Sequence, residues 1–181
     1  MKTKELVYVS LCAIIIAICS WISIPTAVPF TLQTFGIYLA VSVLGGKLGT
    51  LSLLLYLSLG AIGLPVFSGF KGGLAALTGP TGGYLMGFLA TTLIMWAFEK
   101  FFGNNKFTFL ISSILGLIAC YALGTLWFMK VFSTTNGSIG LAATLGMCVI
   151  PFIIPDLVKL AFAYLIGNRI SNISNLKVVQ G

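Results

Sequence analysis

The residues best placed for chemistry are Asp156 and Lys159, a carboxylate and an amine set inside the apolar stretch Met147–Gly167. An ionisable side chain at the centre of a membrane span costs at least about 2.5–3.5 kcal/mol on insertion scales, so it marks a functional site by default. Three positions apart on a helix, the two side chains share nearly one face and can pair. The spacing therefore points to a polar foothold for a ligand within a membrane protein. A structural ion pair that ties this helix to its neighbours is the competing reading.

Other chemistries find no support in the residue types. The chain has no histidine, which removes HExxH metalloprotease sites and Ser–His pairs. Its acidic residues are Glu5, Glu99 and Asp156, and no two of them can form a paired-carboxylate site. No glycine cluster, Gly45-Gly46-Lys47 included, completes the GxxxxGK(S/T) phosphate loop, so no nucleotide site is expected. Cys12, Cys19, Cys120 and Cys148 lie in apolar stretches without CxxC spacing, which predicts buried free thiols rather than disulfides or a metal site. The formal charge of +7 comes from scattered single cations, and no patch suits nucleic acid. No catalytic residue, metal or cofactor is expected, and the chain reads as a binding or transport protein rather than an enzyme.

The elements that must position the pair are membrane helices. The chain is 59% hydrophobic and 7% charged over 181 residues, with a mean hydropathy of +1.11. Soluble domains carry about 25% charged residues. At about 20 residues per span, one domain covering 1–181 accommodates an all-α bundle of six transmembrane helices. Breaks at Pro, Gly and Lys place them at about 6–24, 34–44, 48–62, 84–98, 107–131 and 141–170. Pro151 and Pro155 should kink or break the last, and the polar tail after Ser171 should fray. Lys2 and Lys4 ahead of an apolar run resemble a signal peptide, but the run from Leu6 to Ile24 can span the bilayer and Ser20-Trp21-Ile22-Ser23 cleaves poorly; a retained helix is expected.

Cations fix the expected orientation. With the N-terminus inside, the cytoplasmic segments hold Lys2, Lys4, Lys47, Lys100, Lys106, Arg169 and Lys177, against Lys71 and Lys130 outside. Both termini are then cytoplasmic. Two loops converge outside, above the charged pair: Ile24–Phe35, stiffened by Pro25 and Pro29, and the glycine-rich Ser68–Gly83, whose bared amides suit a cavity lining. Ala13 and Ala17 put two small residues on one face of the first helix, a pattern that admits a close neighbour, either a partner subunit or a helix of the same chain.

Several segments together resemble the BioY family, the biotin-specific substrate-binding (S) components of energy-coupling factor (ECF) transporters. The most specific is Gly72-Gly73 followed by Leu77-x-Gly79-Pro80-Thr81-Gly82-Gly83-Tyr84-Leu85-x-Gly87-Phe88. Also similar are Ile24-Pro25, Val28-Pro29-Phe30-Thr31-Leu32-Gln33-Thr34, Gly60-Ala61-Ile62-Gly63-Leu64-Pro65-Val66-Phe67, Tyr121-x-x-Gly124-x-x-Trp127, and Pro151-Phe152 ahead of Asp156-x-x-Lys159. The sequence departs from the family where Ala27 replaces a usual proline and where Ile154-Pro155 replace Pro-Gly.

The resemblance implies a six-helix S-component fold in the cell membrane, capture of biotin from outside, and coupling to a membrane scaffold subunit carrying two ATPases. On that reading Asp156 and Lys159 meet the ureido group, while Thr31, Gln33, Gly73 and Tyr84 enclose the rest of the ligand. Ala13 and Ala17 then face the scaffold. An S component for another vitamin, or a self-sufficient oligomeric biotin facilitator, remains the alternative.

Overall fold

The computed structural model describes residues 2–26, 28–137 and 139–173. Ala27, where the sequence departs from the family pattern, and the tail beyond residue 173 with Lys177 lie outside the described residues. Helix α1 (Thr3–Trp21) opens with Glu5 accepting from the backbone N–H of Lys2 at 3.0 Å. It ends ahead of Pro25, and the chain turns into a small antiparallel hairpin, β1 (Ser23–Ile24) with β2 (Phe30–Thr31), pairing Ser23 with Thr31 and Ile24 with Phe30. The sequence reading carries the first helix to about 24 and treats the rest of the stretch as loop, whereas α1 ends at Trp21 and Ser23–Ile24 are extended. The residue before a proline is pushed toward extended geometry, and β-branched neighbours favour it as well.

Helix α2 (Gln33–Ala61) is the axis of the molecule, packing against α1, α4 and α7. The two helices expected over 34–44 and 48–62 form one element broken at Gly45, whose φ of 82° suits a residue without a side chain. The break frees backbone groups in an apolar setting, and the Glu99 carboxylate accepts from the N–H of Gly46 there.

The glycine-rich connection is more ordered than expected: Phe67 bridges to Lys71, and a short helix, α3 (Leu74–Thr78), follows. Helices α4 (Gly82–Phe102) and α5 (Lys106–Asn136) then pack closely along a glycine seam. A Cβ on Gly83 would lie 2.2 Å from Cβ of Trp127, and one on Gly124 would lie 2.3 Å from the Tyr84 ring. In lipid, where helices gain no hydrophobic transfer energy from meeting, such close backbone approach is what holds them together.

The last helical stretch divides at Val149 into α6 (Leu141–Cys148) and α7 (Ile150–Ile173). The break falls ahead of Pro151, which occupies the first turn of α7, where its missing N–H leaves no bond unmade. Pro155 is accommodated inside α7. Five stretches are long and apolar enough to cross a membrane: Thr3–Trp21, Gln33–Ala61, Gly82–Phe102, Lys106–Thr134 and Leu141–Ser171. All four cysteines are buried free thiols.

Candidate ligand-binding site

At the foot of the site α7 presents Asp156 and Lys159 from its second and third turns, three residues apart. Both are buried, at 3% and 7% exposure, and Lys159 Nζ lies 2.9 Å from Asp156 Oδ1. The carboxylate is gripped by two further elements. Thr34 of α2 donates to Oδ1 at 3.0 Å, and Tyr121 of α5 donates to Oδ2 at 2.7 Å. Lys159 reaches across to the hairpin, donating to the Thr31 carbonyl at 2.6 Å and lying 4.2 Å from the centre of the Phe30 ring. Four elements thus converge on one ion pair, which pairs the buried charges and meets several of their hydrogen-bonding capacities.

Above the pair opens a cavity of about 490 Å³, within the roughly 300–1,000 Å³ typical of small-molecule sites. Its walls are Phe67, Tyr84, Phe88 and Phe152, with Gln33, Thr81 and Tyr121 as placed polar groups. Gln33 is fixed by donating from its amide to the Tyr56 hydroxyl at 3.1 Å. Thr26, Val28 and Pro29 line the cavity on one side and Ser68, Lys71, Gly72, Ala75 and Gly79 on the other, from the two segments that the sequence singles out. Trp127 pins the second by donating from its indole to the Gly79 carbonyl at 2.9 Å.

Another cavity, about 320 Å³, is lined by Glu99, Asn105, Ser112 and Asn168. It lacks the ion pair and both loops, and its one carboxylate is already engaged at the α2 break.

Of the residues named from sequence, the structure brings Asp156, Lys159, Thr31, Gln33 and Tyr84 to one cavity. Thr31 meets Lys159 through its backbone carbonyl, while its hydroxyl accepts from the N–H of Gln33 at 3.2 Å. Gly73 does not line the cavity: it caps α3 with a φ of 85°, and an added Cβ would meet nothing within 4 Å. Steric bulk there is therefore not the obstacle expected. Its neighbour Gly72 does line the wall, and a Cβ there would fall 2.3 Å from the Leu64 carbonyl oxygen.

Ala13 and Ala17 are 2% and 6% exposed, packed in the core that α1 shares with Ile37 and Ala40 of α2. Nothing in the sequence singles out Thr34 or Phe30 as supports of the ion pair, and Tyr121 enters there only through the family resemblance. Tyr121 sits with Gly124 and Trp127 on one face of α5, a spacing that could have flagged it.

A predominantly helical, multi-pass membrane protein with a charged foot beneath an apolar cavity is the class these features define. A family model described as the BioY family matches residues 1–175. The probable biotin transporter BioY of Pyrococcus horikoshii is 40% identical over 171 residues, covering 94% of this chain and 98% of its own. The biotin transporter BioY of Thermotoga maritima is 40% identical over 172 residues, covering 94% and 97%. Among solved structures, the S-component for biotin from an ECF-type ABC transporter superposes with a TM-score of 0.80 at 32% identity, covering 95% of each chain. The chain belongs to the BioY family.

Proposed function

We propose that this chain is the substrate-binding membrane subunit of an ECF-type ABC transporter, capturing biotin from outside the cell and delivering it for ATP-driven import. The observation that carries the reading is the buried ion pair held by three neighbouring elements at the foot of an apolar-walled cavity. Asp156 Oδ2 accepts from Tyr121 and keeps capacity for one more donor. Lys159 gives N–H bonds to Asp156 and Thr31 and keeps a third. A ureido group places an N–H and a carbonyl side by side, which complements an acceptor and a donor so arranged. The fused apolar rings then lie against Phe67, Tyr84 and Phe152, and Thr31 and Gln33 bound the wall between loop and foot.

The chain offers no GxxxxGK(S/T) loop, so accumulation against a gradient requires energy from a scaffold subunit and its two ATPases. The relatives' names and the superposed S-component support biotin over another vitamin. Isothermal titration of the detergent-purified protein tests the assignment: saturable binding of biotin that a panel of other vitamins does not displace is expected. Silence toward biotin together with binding of a different vitamin would transfer the site to that ligand.

A further inference from the structure

The cavity lining carries Asp156, Lys159 and Lys71, a net charge of +1. The first two neutralise one another at 2.9 Å. No carboxylate remains for the third, because the chain's other acidic residues are Glu5 and Glu99. Glu5 is taken up at the start of α1, and Glu99 at the α2 break. Among the described residues the one ion pair is that of Asp156 with Lys159. Lys71 is therefore an uncompensated cation on the cavity wall.

The backbone that carries it is built with care. The N–H of Phe67 donates to the Lys71 carbonyl at 2.9 Å, closing a tight turn. Within that turn Phe70 has a φ of 57° and is, among the described residues, the one non-glycine with positive φ. That conformation is strained for a non-glycine residue and clusters at active sites and ligand clamps. The Phe70 ring stacks on Trp21 at 5.2 Å, and Phe67 is buried edge-on against Tyr56 at 5.4 Å. Gly72, pressed against the Leu64 carbonyl, fixes the exit from the turn. The turn holds the backbone of Lys71 beside the cavity, and its exposed side chain remains without an ionic partner among the described residues.

We propose that Lys71 reads the carboxylate of the ligand's tail, so that the site selects the free monoanionic acid over neutral amide or ester conjugates. This rests on the reading of the cavity as a biotin site, and it orients the ligand: ureido group at Asp156 and Lys159, carboxylate at Lys71. The cavity's net charge of +1 then balances the ligand's single negative charge, and the exposed, unpaired ammonium attracts incoming anions.

The test compares biotin with biotinamide and biotin methyl ester, which keep the rings and neutralise the tail, by titration against the wild-type protein, Lys71→Gln and Lys71→Arg. The wild type is expected to favour the acid by roughly tenfold, the scale of one charge-assisted hydrogen bond. Lys71→Gln should lose that preference by weakening acid binding alone, and Lys71→Arg should retain it. A thermal melt shows whether Lys71→Gln is folded. Equal weakening of acid and amide would reduce Lys71 to a structural role, and an acid preference that survives Lys71→Gln would assign the carboxylate to another group. Absence of biotin binding by the wild type would remove the biotin reading itself, and this assignment with it.

Discussion

At the scale of single residues the site is a question of how two charges tolerate burial. Asp156 Oδ1 accepts from both Lys159 and Thr34, and Oδ2 from Tyr121. Deleting one partner of such a pair leaves the other charge uncompensated, which costs about 3–5 kcal/mol, whereas replacing both with apolar groups of similar volume is often neutral. Asp156→Leu and Lys159→Leu should each lower the melting temperature in detergent, while the double substitution restores most of it. All three should lose biotin binding, by about 2–5 kcal/mol for a single truncation. A double variant that melts as low as the worse single one would mean the pair holds the fold through its hydrogen bonds and not through charge balance. Asp156 and Lys159 were legible in the sequence because a charge in an apolar run has few innocent explanations. Thr34 and Tyr121 were not, since a threonine and a tyrosine in membrane helices are ordinary until a distant carboxylate is known to lie beside them.

At the scale of elements, the cavity exists because α4 and α5 approach closely enough to set Tyr84 in its wall. Gly83 and Gly124 occupy the contact, each with a neighbouring side chain inside the space a Cβ would need. Gly83→Leu and Gly124→Val should wedge the helices apart, displace Tyr84 and abolish biotin binding together with thermal stability. Gly146→Ala, on α6 with nothing within 4 Å of the added Cβ, should behave as wild type. Binding preserved in Gly83→Leu would show that the seam is not what shapes the cavity. Gly73 and Gly103 are both open and both at positive φ, so alanine should disturb them alike, through backbone strain. Hydropathy and glycine clusters made the helical runs and the two converging loops legible. The α2 break reads as a stop in sequence, because nothing local reveals that Glu99, far along the chain, caps the freed amide of Gly46 and lets the helix resume. Order within the Phe67–Gly83 segment was equally hidden, since glycine-rich composition describes permissiveness and not the contacts that remove it.

At the scale of the whole molecule, α1 has two faces with different tasks. Its inner face buries Val9, Ala13, Ile16 and Ala17 against α2, and its outer face exposes Leu11, Ile14 and Ile18, the last two at 53% and 46%. Small-residue spacing alone does not say which helix comes close, and here it is a helix of the same chain. A tryptophan at Ala13 or Ala17 must then be accommodated in a filled core, where overpacking costs typically 1–3 kcal/mol and often more for so large a change. Both variants should lose biotin binding and thermal stability along with any assembly, because the helix that leads into the hairpin over Lys159 has been displaced. Ile14→Trp adds the same ring on the outer face of the same helix and should keep binding and melting temperature intact. Titration and melting of the three proteins, alongside co-purification with the ATPase module, separate the effects. If Ala13→Trp binds biotin normally yet fails to assemble, the alanines face a partner in the membrane after all, and α1 must leave α2 to meet it.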